Sequence, residues 1–354
     1  MNNNSDTNQE DVVFTQNGEV YSPIDLDDNF LIITKFICCS IGIPLNLLIA
    51  ITIIRHHRRL GCKPRNIFLL AIIFSYLLFY IAPLIELISW AFLPAVQSTE
   101  SVCLVFIAVG GLPQALLLLN MILALVDRYV AINFPLLHRE KMTVRLASAI
   151  LLMAAISLIF LLKFVYIARM SPLRCEIWLV HSKVLAFTIL LLFVSCILLN
   201  FIVYRKTRTL LGECRTLEIR NSGGIDGRVD ELGSFETPGN ESLRTVRSVG
   251  INNQRPMSIH VDKETLSQME IEATRTLIFG VTSLVVTVCP IIILLLTFLV
   301  CRIIGQIDCS HFIWLATYFK ELGLVHAIYN PLIFLTRNKE LRSALMTRLI
   351  NRGE

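Results

Sequence analysis

The chain has 354 residues, a formal net charge of +5, 55 % hydrophobic residues and only 17 % charged ones, and its mean hydropathy is +0.66. A soluble domain carries about 25 % charge, so this composition excludes a string of soluble domains and points to one integral membrane domain with polar ends. The ten cysteines show no Cys-x-x-Cys spacing, which excludes the common zinc modules.

Residues 1–29 hold Asp6, Glu10, Asp11, Glu19, Asp25, Asp27 and Asp28 with no Lys or Arg, the composition of a disordered tail. No signal peptide is visible there, because the first 28 residues are polar and acidic. Asn3-Asn4-Ser5 makes Asn3 a glycosylation acceptor if the tail is extracellular. Seven apolar runs follow, at 30–54, 66–92, 102–132, 144–168, 183–204, 274–301 and 311–335. Each is near the length that a spanning helix needs, and lipid predicts uninterrupted helices, since it offers bare backbone groups no partner. Cys38, Cys39, Cys196 and Cys289 lie inside these runs and read as small buried hydrophobes.

Basic residues cluster after run one (Arg55, Arg58, Arg59, Lys63, Arg65) and after run three (Arg139, Lys141, Arg145). They recur after run five (Arg205, Lys206, Arg208) and after run seven (Arg337, Lys339, Arg342, Arg348). The bias of positive charge toward the cytoplasm predicts that these four segments lie inside and the N-terminus outside. Residues 209–268 are rich in Gly, Ser, Thr and mixed charge, as in a long disordered cytoplasmic loop. In residues 336–354, Leu341, Leu345, Leu349 and Ile350 recur at helical spacing with arginines between them, the pattern of an amphipathic helix lying on the membrane surface.

Asp127-Arg128-Tyr129 closes the third run, whose other end carries Cys103. Cys103 and Arg128 are 25 residues apart, about 37 Å of α-helix, one bilayer with its headgroups. Val130-Ala131-Ile132 and Pro135-Leu136 follow, and run seven ends in Asn330-Pro331-Leu332-Ile333-Phe334. Asn46, Asn66 and Leu69-Leu70 fall at matching places in runs one and two. This set resembles the rhodopsin-like (class A) G-protein-coupled receptors, over residues 30–350. The resemblance implies an all-α membrane protein: a seven-transmembrane helix bundle over 30–335 with a short amphipathic cytoplasmic eighth helix. It implies a Cys103–Cys175 disulfide on the outside, where such bonds persist, and Cys301 and Cys309 are a second candidate pair. It further implies that Asp127, Arg128, Tyr129, Asn330, Pro331 and Phe334 form the activation switch with Pro290, and that Arg128 pairs with Glu270, 20 residues before Pro290.

The departures from the family pattern are as informative. The helix-two aspartate is replaced by Tyr76, and its helix-three hydroxyl partner by Leu117. The Cys-Trp-x-Pro of helix six reads Thr287-Val288-Cys289-Pro290, run four has no tryptophan and run five no proline. The amine-binding aspartate falls at Gly110 and the retinal lysine at Leu324, which argues against an amine receptor and an opsin. Charged groups inside membrane runs are costly and mark functional sites; here they are Glu86, Lys320, Glu321 and His326. A Glu86–Lys320 pair lines the expected ligand pocket, together with Gly110, Gln114 and Val288, or else is a structural ion pair. His326 and Asn330 share a helix face and suit a water-linked polar network. Lys163 reads as a snorkelling residue.

The expected protein is a plasma-membrane receptor that couples an extracellular ligand to a heterotrimeric G protein, with arrestin, receptor kinases and membrane lipid as further partners. No nucleic acid, cofactor or metal is expected, and no residue set resembles a catalytic site. The short segment 169–182 around Cys175 favours a small-molecule ligand. One rival is a non-signalling receptor-like scaffold or decoy, which the missing aspartate and tryptophan favour. Another is a seven-helix transporter, which predicts internal repeats and interrupted helices.

Overall fold

The computed structural model describes residues 29–55, 64–92, 111–167, 178–223, 257–301, 313–338, 341–343 and 345–346, and every regular element among them is helical. In lipid each backbone N–H and C=O must find a partner within its own segment, which a helix provides residue by residue. The helices are α1 (Asn29–Arg55), α2 (Pro64–Phe79), α3 (Ile81–Phe92), α4 (Leu112–Asn133), α5 (Pro135–Lys141), α6 (Val144–Ile167), α7 (Trp178–Gly223), α8 (Met257–Val300) and α9 (Ile313–Arg337). Six segments are long and apolar enough to cross a membrane: Asn29–Arg55, Pro64–Ile88, Leu112–Asn133, Val144–Lys163, Val184–Gly212 and Ile271–Thr297. Their outer faces match that solvent. Leu152, Met153, Phe160 and Leu161 on α6, and Phe187, Leu198 and Phe201 on α7, are exposed, an apolar surface that suits acyl chains and not water.

Two expectations from the sequence need correction. The second run is not one uninterrupted helix, because the ladder breaks at Tyr80 between α2 and α3. Pro83 is the cause: it has no N–H to give, and its ring excludes the carbonyl of Phe79. Tyr80 bonds instead to the Leu77 carbonyl (3.2 Å), and the ladder restarts with Leu84 N–H on the Tyr80 carbonyl (3.0 Å). The flanks of the 209–268 segment are also helical, since α7 continues to Gly223 and α8 begins at Met257. Leu210, Leu211, Arg215, Leu217 and Glu218 are good helix formers, and they extend a helix that is already nucleated. Residues 224–256 lie outside the described residues.

The helices close into a ring in which α1 packs on α2, α7 on α8, α8 on α9 and α9 back on α1, while α4 packs against α2, α6, α7 and α8. Of the apolar window of α4, 56 % is buried, against 22 % for that of α6, so α4 is the inner helix and α6 the rim. Ile49, Ile73, Leu117, Met121, Leu125, Val281 and Ala327 meet in one buried apolar cluster. Two glycines permit the closest approaches. A Cβ on Gly42 would overlap the Tyr80 ring, and one on Gly280 would stand 2.7 Å from Asn330 Oδ1. Buried amides tie the helices at the same level. Asn46 donates to the carbonyls of Gly42 (2.9 Å) and Ala327 (3.0 Å), and Asn120 donates to Ser75 Oγ (2.8 Å).

Candidate functional site

Three polar clusters interrupt the apolar interior, and the alternating direction of the helices sorts them by depth. The first lies at the C-terminal end of α4. Leu117, Met121, Leu125 and Arg128 recur at three- and four-residue spacing, so the face of α4 that packs in the core carries Arg128 with it. Asp127 is 2 % exposed and Arg128 4 %. Charges buried so deeply need partners. Arg128 folds back on its neighbour, donating to Asp127 Oδ2 from Nε (3.0 Å) and Nη2 (2.5 Å). The other carboxylate oxygen, Oδ1, lies 2.8 Å from His138 Nε2. An ionised carboxylate only accepts, so the ring donates from Nε2. Pro135 at the start of α5 turns the chain after Phe134 and returns His138 to the end of α4, while Phe134, Leu136 and Leu137 stay exposed. Tyr129 is partly buried against the main core.

The second cluster is central. Tyr76 is fully buried; its hydroxyl accepts from Asn330 Nδ2 and lies 3.3 Å from His326 Nδ1. The Tyr76 and His326 rings are tilted against each other with centroids 5.6 Å apart. His326 and Asn330 therefore meet a protein hydroxyl directly, where the sequence suggested a water-linked network. Pro331 lies inside α9, and Phe334, 4 % exposed, closes the core beside Gly280. Pro290 lies inside α8. Val288, two residues before Pro290, is partly buried against the main cluster.

The third cluster lies where α1 and α9 begin and α3 nears its end, the opposite end of the bundle from Arg128. Glu86 Oε1 takes a hydrogen bond from Lys320 Nζ (3.0 Å), the pair expected from the sequence. Glu86 Oε2 lies 2.6 Å from Lys35 Nζ, and Lys35 also faces Glu321 Oε1 at 3.7 Å. Lys35, Glu86 and Glu321 are buried, whereas the Lys320 side chain is 45 % exposed. Gln114, in the first turn of α4, is partly buried, with Oε1 unpartnered.

Asn3, Cys103, Gly110, Cys175 and Cys309 lie outside the described residues, as does the side chain of Glu270. Cys301 is disulfide-bonded, to a partner outside the described residues. Sequence reasoning passed over Lys35 and His138. Lys35 sits six residues into the first run, an intramembrane cation of the kind that signals a partner. His138, an ionisable ring 11 residues after Asp127, carried no signal beyond its nearness.

The sequence profile described as 7 transmembrane receptor (rhodopsin family) matches residues 45–334. No curated protein matches the chain.

Proposed function

The chain belongs to the rhodopsin family of seven-transmembrane receptors, and from that premise we propose that it is a plasma-membrane receptor that answers an extracellular ligand by activating a heterotrimeric G protein. It is a signalling receptor of a non-enzymatic family. In this reading α9 supplies the seventh crossing and the segment after Asn338 the amphipathic eighth helix. Leu341 N–H bonding to Asn338 Oδ1 (3.2 Å) is in keeping with a helix start there. The N-terminus is outside, the end of α4 faces the cytoplasm, and ligand enters near Glu86 and Lys320. Arrestin and receptor kinases are the further cytoplasmic partners of such a protein.

The observation that carries the reading is the buried Asp127–Arg128–His138 network at the end of the inner helix. A guanidinium sequestered by a carboxylate at a helix mouth is a stored binding group: opening the mouth exposes it to a cytoplasmic partner. Arg128 further pairs with Glu270 in the resting state, and α8 swings about Pro290 to part them. A ligand drives that change by its differential affinity for the open state, a few kcal/mol sufficing.

The test is nucleotide exchange on a panel of heterotrimeric G proteins, with the full chain at the cell surface and a small-molecule library as ligand. Exchange above background on any one of them supports the reading. A chain that reaches the surface, binds ligand and drives no exchange is the scaffold or decoy, a reading that Tyr76 and the tryptophan-free Thr287–Pro290 segment favour.

A further inference from the structure

We propose that Lys320 is the anchor for an anionic oxygen head group, a carboxylate or a phosphate monoester, on a ligand held between α1, α3 and α9. The proposal rests on the receptor reading above and names the ligand class of its pocket.

Among the described residues, four charged side chains cluster between α1, α3 and α9, two cations and two anions. Lys35 is the interior cation: it is 4 % exposed and stands between two carboxylates, Glu86 at 2.6 Å and Glu321 at 3.7 Å. It therefore neutralises Glu86 from behind, whatever Lys320 does. Among the described residues Lys320 reaches Glu86 alone, at 3.0 Å through the other oxygen. It is the accessible member, at 45 % side-chain exposure against 2 % for Glu86. An ammonium has three donors, and one of them is satisfied by Glu86. The charge open to an arriving ligand is thus positive and has donors to spare. A cationic ligand would have to displace a lysine from a carboxylate that is sealed from solvent. An anion needs only to draw the exposed Lys320 outward, leaving Glu86 to Lys35. The bond so formed is charge-assisted, and such bonds are stronger than those between neutral groups.

The experiment uses the full chain in discs of phosphatidylcholine, which carry no anionic lipid. Octanoate, octyl phosphate, octylamine and octanol are added at equal concentrations, and the thermal unfolding midpoint is read. The two anions are expected to raise the midpoint and the amine and alcohol to leave it unchanged. Lys320→Gln is expected to weaken octanoate at least about tenfold and Lys320→Arg to retain it. Discs containing phosphatidylglycerol separate the two sources of the head group. A bilayer lipid would raise the starting midpoint of the wild type over Lys320→Gln and remove the octanoate shift; a free ligand would leave the shift in place. A shift with the amine, no shift with either anion, or an octanoate shift undiminished in Lys320→Gln overturns the proposal, and the probe selectivity of the wild type decides it even if the glutamine variant does not fold. Anion binding through Lys320 without nucleotide exchange would sink the receptor reading alone, and exchange without anion binding would sink this one alone.

Discussion

At the residue scale the polar groups of the interior differ in what their loss should cost. Tyr76 and Tyr80 are both fully buried tyrosines four residues apart. The Tyr76 hydroxyl joins Asn330 and His326, whereas the Tyr80 hydroxyl has no hydrogen-bond partner among the described residues. Deleting a hydroxyl that satisfies two buried groups leaves both exposed to an apolar medium, a loss of about 1–3 kcal/mol, while deleting an unsatisfied one is close to neutral. Tyr76→Phe should therefore lower the unfolding midpoint clearly and Tyr80→Phe hardly at all; equal effects would mean that the Tyr76 network adds nothing. The same residue predicts indifference to sodium. A hard cation wants several oxygen ligands, preferably charged. At the positions of the family's helix-two aspartate and helix-three hydroxyl the chain has Tyr76, already engaged, and the buried side chain of Leu117, and so no carboxylate. The unfolding midpoint in sodium chloride should equal that in choline chloride, and a rise specific to sodium would contradict the assignment. Glu86 and Lys320 were legible from the sequence because each is a charge inside an apolar run. The joining of Glu86 to Glu321 through Lys35 was not, because a lysine near a helix start reads as well as a snorkelling anchor, and its partners lie 51 and 286 residues away in sequence.

At the element scale the seven apolar runs, six of them of spanning length and composition among the described residues, were legible because lipid forces the backbone to satisfy itself. Interruptions and extensions were less so. Pro83 stands in the sequence, yet a proline in a membrane helix either bends it or breaks it according to its neighbours. Here the bulk of Tyr80, seated on Gly42, goes with a break. That contact makes a prediction. A methyl at position 42 would overlap the Tyr80 ring, and overpacking of this kind costs about 1–3 kcal/mol. Gly42→Ala should lower the midpoint, and it should lower it less when Tyr80→Ala is already present, because the ring it overlaps is gone. An additive double variant would show that the two side chains do not meet. The helical continuation of α7 to Gly223 could not be read, since it depends on nucleation by the spanning segment and not on the polar composition of 209–223.

At the scale of the whole molecule one bundle holds two charged clusters at opposite ends, the proposed ligand end at Lys320 and the proposed switch end at Arg128, with the packed core between them to couple the two. Tyr76, Asn330 and Gly280 stand between them and join α2, α8 and α9. At the Arg128 end the guanidinium is bonded to Asp127, whose other carboxylate oxygen meets His138. The proposed Arg128–Glu270 pairing would add a second restraint between α4 and α8. Glu270→Ala should raise ligand-independent signalling, and a value equal to wild type at matched surface expression would remove Glu270 from the account.

The most direct measurement concerns Asp127 and Arg128 themselves: ligand-independent nucleotide exchange by the two single variants at matched surface expression. Asp127→Asn keeps the shape and removes the charge that sequesters the guanidinium. A buried charge-assisted hydrogen bond contributes about 1.5–3 kcal/mol, so losing it should raise the open fraction roughly tenfold to a hundredfold. Arg128→Ala removes the group that the open mouth presents, and should abolish exchange. Basal exchange raised in Asp127→Asn and absent in Arg128→Ala is the predicted result. Exchange unchanged in Asp127→Asn, or undiminished in Arg128→Ala, would contradict the claim that this buried pair is the switch.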